Sequence, residues 1–170
     1  AIDGDYLSFD LSEIVVEGTF YNAENATIDL FGKLEVKGTF YNYGTLDFET
    51  SKDSQFFIND GEFINYGYVC MPCGLMAENP YLTIKDRAGF HMNDAVLTNY
   101  GTMEFDFGYS LSNLLNPCAN VSVTGIDKNC EIRNYGTLTF NAEDYVELQG
   151  DLYNSGEMTI GNQKRFVELD

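Results

Sequence analysis

Gly38-Thr39-Phe40-Tyr41-Asn42-Tyr43-Gly44-Thr45-Leu46-Asp47-Phe48 is the stretch on which the reading of the whole chain turns. Its central tripeptide returns as Asn65-Tyr66-Gly67, Asn99-Tyr100-Gly101 and Asn134-Tyr135-Gly136, while Asn22-Ala23-Glu24 opens the series and Asn154-Ser155-Gly156 closes it. A unit that recurs six times in 170 residues signals stacked coils, because one such unit cannot bury its apolar face alone. Successive Asn residues lie 20, 23, 34, 35 and 20 positions apart, so the short coils take 20 residues and two coils carry insertions. One insertion is expected near Pro72-Cys73-Gly74 through Pro80. The other is expected from Gly108 to Lys128, with Leu111 to Pro117 as a single helical turn.

Strand side chains alternate between faces, so the position two before each Asn should point inward together with those four and six after it. Phe20, Phe40, Phe63, Leu97, Ile132 and Leu152 stand two before. Leu46 and Phe48, Val69 and Met71, Met103 and Phe105, Leu138 and Phe140, and Met158 and Ile160 stand four and six after, with Ala26 and Ile28 in the first copy. The Asn corners, with Gly44, Gly67, Gly101, Gly136 and Gly156, are expected to turn a sharp strand-turn-strand arch, Asn and Gly being the residues that most readily take positive φ. Hairpins use the same residues but do not demand the same apolar residue at the same offset in every copy. Parallel stacking does, since each coil lies about 4.8 Å from its predecessor and equivalent side chains form columns. The expected fold is all-β: a parallel β-solenoid of six stacked β-arch coils with open ends, spanning 1–170 as one domain.

Composition agrees, since 44% hydrophobic and 15% aromatic residues are too apolar for disorder, and Tyr, Phe, Thr, Gly, Asn and Asp favour strands and turns. A formal charge of -18, from 27 acidic and 9 basic residues, argues against a nucleic-acid partner. No apolar run reaches the roughly 20 residues that span a bilayer, so membrane insertion is not expected. The first residue is Ala1 and not Met, which points to a removed signal and an extracellular or cell-envelope location. Asn25-Ala26-Thr27 and Asn120-Val121-Ser122 are candidate glycosylation sequons.

Outward positions form columns too. Five after the Asn stand Asp47, Cys70, Glu104, Thr139 and Thr159, so like charges are separated by neutral residues. Tyr43, Tyr66, Tyr100 and Tyr135 make an aromatic column, either a structural ladder or a sugar-stacking platform. Cys70, Cys73, Cys118 and Cys130 are an even set in a chain read as exported, so disulfides are expected. Cys118 with Cys130 would close the second insertion, leaving Cys70 with Cys73, or one of that pair would bond across a subunit contact. Cys70-Met71-Pro72-Cys73 is only half of a zinc pattern, and His91 stands alone. Asp3, Asp5 and Asp10 offer carboxylates for Ca²⁺ without the spacing of a calcium loop, so no cofactor is expected. No acidic pair has a distinctive catalytic context, and an enzyme is not expected.

The last residues, Arg165-Phe166-Val167-Glu168-Leu169-Asp170, resemble the strand Asp144-Tyr145-Val146-Glu147-Leu148-Gln149 that leads into an Asn corner. Phe166, Val167 and Leu169 at one end, and Tyr6, Phe9 and Leu11 at the other, are read as β edges available to a neighbouring subunit. The Asn-Tyr-Gly-Thr-Leu/Met-x-Phe repeats over residues 14 to 160 resemble those of parallel β-solenoid surface proteins such as bacterial adhesin passengers. In its acidic, Tyr/Phe-rich, Cys-containing character the chain is also similar to the amyloid-like sheath proteins that enclose some methanogenic archaea. That resemblance implies arches joined edge to edge into hoops or fibres hardened by disulfides. The expected role is an extracellular structural subunit that forms a head-to-tail homopolymer. The alternative is a surface adhesin or carbohydrate-binding module contacting glycans through the Tyr column or the inserted loops.

Overall fold

The computed structural model describes residues 6–9, 13–48, 55–72, 89–107, 122–126, 129–142, 145–148, 150–162 and 167–169. Strands are numbered in chain order. One sheet carries the Asn residues: β3 (Thr19–Asn22), β6 (Thr39–Asn42), β9 (Glu62–Asn65), β12 (Val96–Asn99), β15 (Glu131–Asn134) and β18 (Asp151–Asn154). The chain then turns the Asn corner into a second sheet: β1 (Tyr6–Phe9), β4 (Thr27–Leu30), β7 (Thr45–Phe48), β10 (Tyr68–Pro72), β13 (Thr102–Phe107), β16 (Thr137–Ala142) and β19 (Glu157–Asn162). A third sheet leads back: β2 (Glu13–Val16), β5 (Lys33–Val36), β8 (Gln55–Asn59), β11 (Gly89–Asn93), β14 (Ser122–Ile126), β17 (Tyr145–Leu148) and β20 (Val167–Leu169). Each strand pairs in parallel with the strand three further on, as in β3–β6, β7–β10 and β5–β8. The fold is a parallel β-solenoid in which each coil has three sides, one more than the strand-turn-strand arch expected.

Columns of like side chains fill the interior because parallel pairing sets equivalent residues side by side. In the Asn sheet Phe40 faces Phe63, Phe63 faces Leu97 and Leu97 faces Ile132. In the second sheet Phe48, Met71, Phe105 and Phe140 are fully buried, and in the third Phe56, Phe90, Ile58 and Met92 are too. Rings from different sheets meet at the axis: Phe90 lies 4.5 Å from Phe105, and Phe56 lies 5.0 Å edge-on from Phe63. Burying each such side chain is worth about 1.5–3 kcal/mol, so the axial column supplies most of the drive to coil.

Three expectations need correction. The first Asn corner is two residues longer than the others, so the register sets Ile28 on Leu46 and Leu30 on Phe48, and Ala26 is a buried corner residue. The same shift places Asp29 beside Asp47, so two carboxylate residues adjoin at that end of a column whose later members, Cys70, Glu104, Thr139 and Thr159, follow as read. Residues 122–126, read as insertion, form β14 of the third sheet; the expected helical turn lies outside the described residues.

The third correction concerns glycine. Among the described residues positive φ occurs at Asp60 (53°), Asp94 (45°) and Gly150 (128°), all at the corner that leads into the Asn sheet. The Asn-Tyr-Gly corner does not use it. Its glycines answer a different demand: a Cβ on Gly101 would lie 2.1 Å from the Gly67 carbonyl oxygen, and one on Gly136 2.1 Å from that of Gly101. Coils stacked at strand spacing leave no room for a side chain there.

Gly101→Ala is therefore expected to destabilise the chain by about 1–3 kcal/mol, the usual cost of overpacking, with the upper end favoured because the obstacle is backbone. Gly18→Ala is the control, since nothing lies within 4 Å of its Cβ position. Urea melts of the dilute protein should separate the two; equal midpoints would refute the stacking explanation.

Candidate functional site

The repeated geometry of the corners produces a hydrogen-bonded ladder of Asn amides along the axis. Nδ2 of Asn22 donates to Oδ1 of Asn42 (2.7 Å), Asn42 to Asn65 (2.8 Å), Asn65 to Asn99 (2.9 Å), Asn99 to Asn134 (2.8 Å) and Asn134 to Asn154 (2.7 Å). Each Nδ2 also meets a main-chain carbonyl of the corner, as Asn42 does at Gly44 (3.1 Å) and Asn134 at Glu157 (2.8 Å). A flipped amide would set Oδ1 against those carbonyls, so the orientation is determined. Asn22, Asn42, Asn65, Asn99 and Asn134 are all fully buried.

All the amides point the same way, which makes the ladder polar. At one end Asn22 Oδ1 is buried and accepts no hydrogen bond among the described residues. A buried acceptor left unmet costs about 1–3 kcal/mol. At the other end Asn154 Nδ2 donates to its own corner at Gly156 (3.2 Å), and the side chain is exposed. One end therefore lacks a donor and the other presents one.

The apolar interior is unfinished at the same places. At the same end of the stack as Asn22 lies a cavity of about 480 Å³ lined by Ile14, Val16, Phe20, Ile28, Leu30, Leu34 and neighbouring residues. At the far end Leu152, which continues the buried Phe and Leu column, is 39% exposed. Tyr153 and, at the Asn22 end, Val15 and Tyr21 are also exposed. None of these was singled out as a contact residue from the sequence, although the column alignment contains them.

Tyr43, Tyr66, Tyr100 and Tyr135 stack at 4.8, 5.0 and 4.9 Å with ring planes within 9° of parallel. Both ring faces of Tyr66 and of Tyr100 are covered by their neighbours in the stack, while Tyr43 and Tyr135 end it. Partial burial in this stack, aided by the neighbouring Tyr43 and Tyr100, raises the Tyr66 hydroxyl above its usual value. Cys70 lies half-buried on β10 and Cys130 is buried beside β15, and no disulfide is formed among the described residues; Cys73 and Cys118 lie outside them. His91 stacks on Phe57 at 4.9 Å, on a different sheet from Cys70. Among the described residues no group of three His, Cys, Asp or Glu is placed to hold a metal ion. Asp3, Asp5, Asp10, Leu11, Phe166 and Asn120 lie outside the described residues, and Asn25 is exposed in the first Asn corner.

The main charged cluster sits on the outer side of the third sheet. Glu35 accepts from Lys33 Nζ (2.9 Å) and Asn59 Nδ2 (2.8 Å), with Lys37 at 3.4 Å, and Lys33 also reaches Glu13 (2.9 Å). The Lys33 hydrogen bond, followed by that of Asn59, lowers the Glu35 pKa to about 2. Lys33 rises in turn, mainly through Glu13 and Glu35.

Comparison with family models, with curated proteins and with solved structures returned no match.

Two tests follow from the ladder and the cluster. Asn99→Leu should cost several kcal/mol in a urea melt, because it strands both the Asn65 donor and the Asn134 acceptor at about 1–3 kcal/mol each. Glu35 has a folded pKa below its unfolded value, so its contribution is complete above about pH 4.5 and is lost as the pH falls towards 2. Glu35→Gln should flatten the stability profile across that window and leave its shape above pH 5 unchanged.

Proposed function

We propose that the chain is an extracellular structural subunit that assembles end to end, the Asn154 end of one copy meeting the Asn22 end of the next, to build a filament, hoop or sheath of the cell envelope. The observation that carries this reading is the buried Asn22 Oδ1, which accepts no hydrogen bond among the described residues, at one terminus of a polar ladder whose other terminus offers an amide donor. The 480 Å³ apolar cavity lined by Ile14, Phe20 and Leu34 and the exposed Leu152 support it, since a further coil is what would fill the one and cover the other. Such contacts are heterologous, so they build a closed hoop where the rotation between copies closes and an open filament where it does not.

The net charge opposes association through self-repulsion, and salt shortens its reach to about 8–10 Å at physiological strength. Assembly should therefore require moderate salt. The exposed Asn25 sequon suits an exported chain, and disulfides would harden the polymer in the manner that the resemblance to sheath proteins implies. The competing glycan-binding reading needs open aromatic faces, and the stacked Tyr column offers them poorly.

Asn154→Asp tests the reading with little risk to the fold. The carboxylate keeps the acceptor that Asn134 uses and removes the outward donor, and the position is exposed. Wild type should form filaments visible by electron microscopy at about 0.15 M salt, where the Debye length is about 8 Å, and the variant should stay monomeric with an unchanged melt. Filaments of equal length from both proteins would refute the ladder contact.

A further inference from the structure

Every Asn corner except the first and the last carries a tyrosine on its outer side. Tyr43, Tyr66, Tyr100 and Tyr135 stack with ring centroids 4.8, 5.0 and 4.9 Å apart and planes 2°, 8° and 9° from parallel. Looser ring contacts flank them, Tyr41 with Tyr43 at 6.4 Å and Tyr135 with Tyr153 at 5.5 Å. Stacking alone needs only a ring. A phenol can also give up a hydrogen atom, and a phenyl group cannot.

We propose that this stack is a site of oxidative cross-linking, at which a one-electron oxidant of the peroxide class joins tyrosines of successive coils as dityrosine. Each ring first loses one electron to the oxidant and its hydroxyl proton to water, leaving a neutral tyrosyl radical. Two neighbouring radicals then form a bond between their Cε carbons. Each of those carbons gives up its hydrogen as a proton, the phenolic oxygen of the same ring takes one back from water, and both phenols are restored. The pair has lost two electrons and two protons in all, and the electrons have cleaved one peroxide O–O bond.

The geometry suits the bond-forming step. The unpaired electron of a tyrosyl radical occupies a π orbital whose lobes project from the ring face, with high density at Cε and at oxygen. In near-parallel rings those lobes point at one another across the stack. Parallel pairing holds the two backbones about 4.8 Å apart, so a reaction that in solution waits for a collision needs here only a lean of the ring tips. The four tyrosines are 40% to 48% exposed. Since both faces of Tyr66 and Tyr100 are covered, it is the ring edges that solvent and a small oxidant reach. Burial in the stack raises the Tyr66 hydroxyl, so this ring stays uncharged at neutral pH.

Tyr68 is the contrast. It is 37% exposed, but its hydroxyl donates to Glu104 and it makes no ring contact among the described residues. Links within the stack would close loops of 23, 34 or 35 residues, tying one coil to the next and restricting the unfolded chain as a disulfide does. They lie within one chain and do not depend on end-to-end assembly.

The full 170-residue chain, dilute and at low salt, is oxidised with persulfate under light in the presence of the photosensitiser tris(bipyridine)ruthenium. Dityrosine fluorescence is read, and fragment mass spectra of the monomer band locate the linked rings. Tyr66→Phe/Tyr100→Phe keeps the rings and removes three of the six tyrosine contacts, so fluorescence should fall about twofold. Tyr68→Phe should match wild type. Links between Tyr43 and Tyr66, Tyr66 and Tyr100, or Tyr100 and Tyr135 of single chains support the proposal. A monomer without dityrosine, links confined to pairs of chains or to rings outside the stack, or an undiminished yield from the double variant overturns it. Oxidation should also move the urea midpoint of wild type upward relative to that of the equally treated double variant, and equal shifts overturn the tying of coils.

Discussion

An amide that donates to the same amide one coil further on is the interaction on which the rest of the structure depends. At about 4.8 Å between coils, Asn is long enough to reach its neighbour and short enough to stay in the corner, and its side chain carries both a donor and an acceptor. The ladder from Asn22 to Asn154 therefore joins donor to acceptor at each step along the row and pins the register of all three sheets. A slip of one residue would turn every Phe of the axial column outward and leave each amide unmet. Register and burial are enforced by one device.

The glycines follow from the same spacing. Where the main chain turns after each Asn, carbonyl oxygens of one coil lie so close to the next that only hydrogen fits on Cα, as at Gly67, Gly101 and Gly136. The left-handed backbone instead appears at Asp60, Asp94 and Gly150, where the third sheet returns to the Asn sheet. Close approach recurs at that corner, where a Cβ on Gly38 would lie 2.1 Å from the Gly18 carbonyl oxygen, so sharp reversal there is added to the same spacing constraint.

A repeating interaction with a direction cannot be satisfied at both of its ends by a finite stack. Asn22 and Asn154 are chemically equivalent inside the ladder and opposite at its termini, one short of a donor and the other holding one. The apolar column has the same incompleteness, with a cavity beside Ile14 and Phe20 and an uncovered Leu152. The features that make the interior regular are the ones that make its ends complementary, and this links the fold to the proposed assembly.

Much of this was legible in the residues themselves. Six Asn corners and apolar residues at constant offsets determined a parallel solenoid, because only coils lying over one another require the same side chain at the same place each time. What the pattern revealed only in part was the third side of each coil: Phe56-Phe57-Ile58 and Phe90-His91-Met92 both begin nine residues before the following Asn but 14 and 25 residues after the preceding one, because the added residues fall there. It also concealed the two extra residues of the first corner, which move Ile28 and Leu30 into register and bring Asp29 beside Asp47. Most of all, the direction of the amide ladder belongs to three dimensions. Asn is a donor and an acceptor in any sequence, and only the placement of the corner carbonyls decides which atom of Asn22 is left without a partner among the described residues.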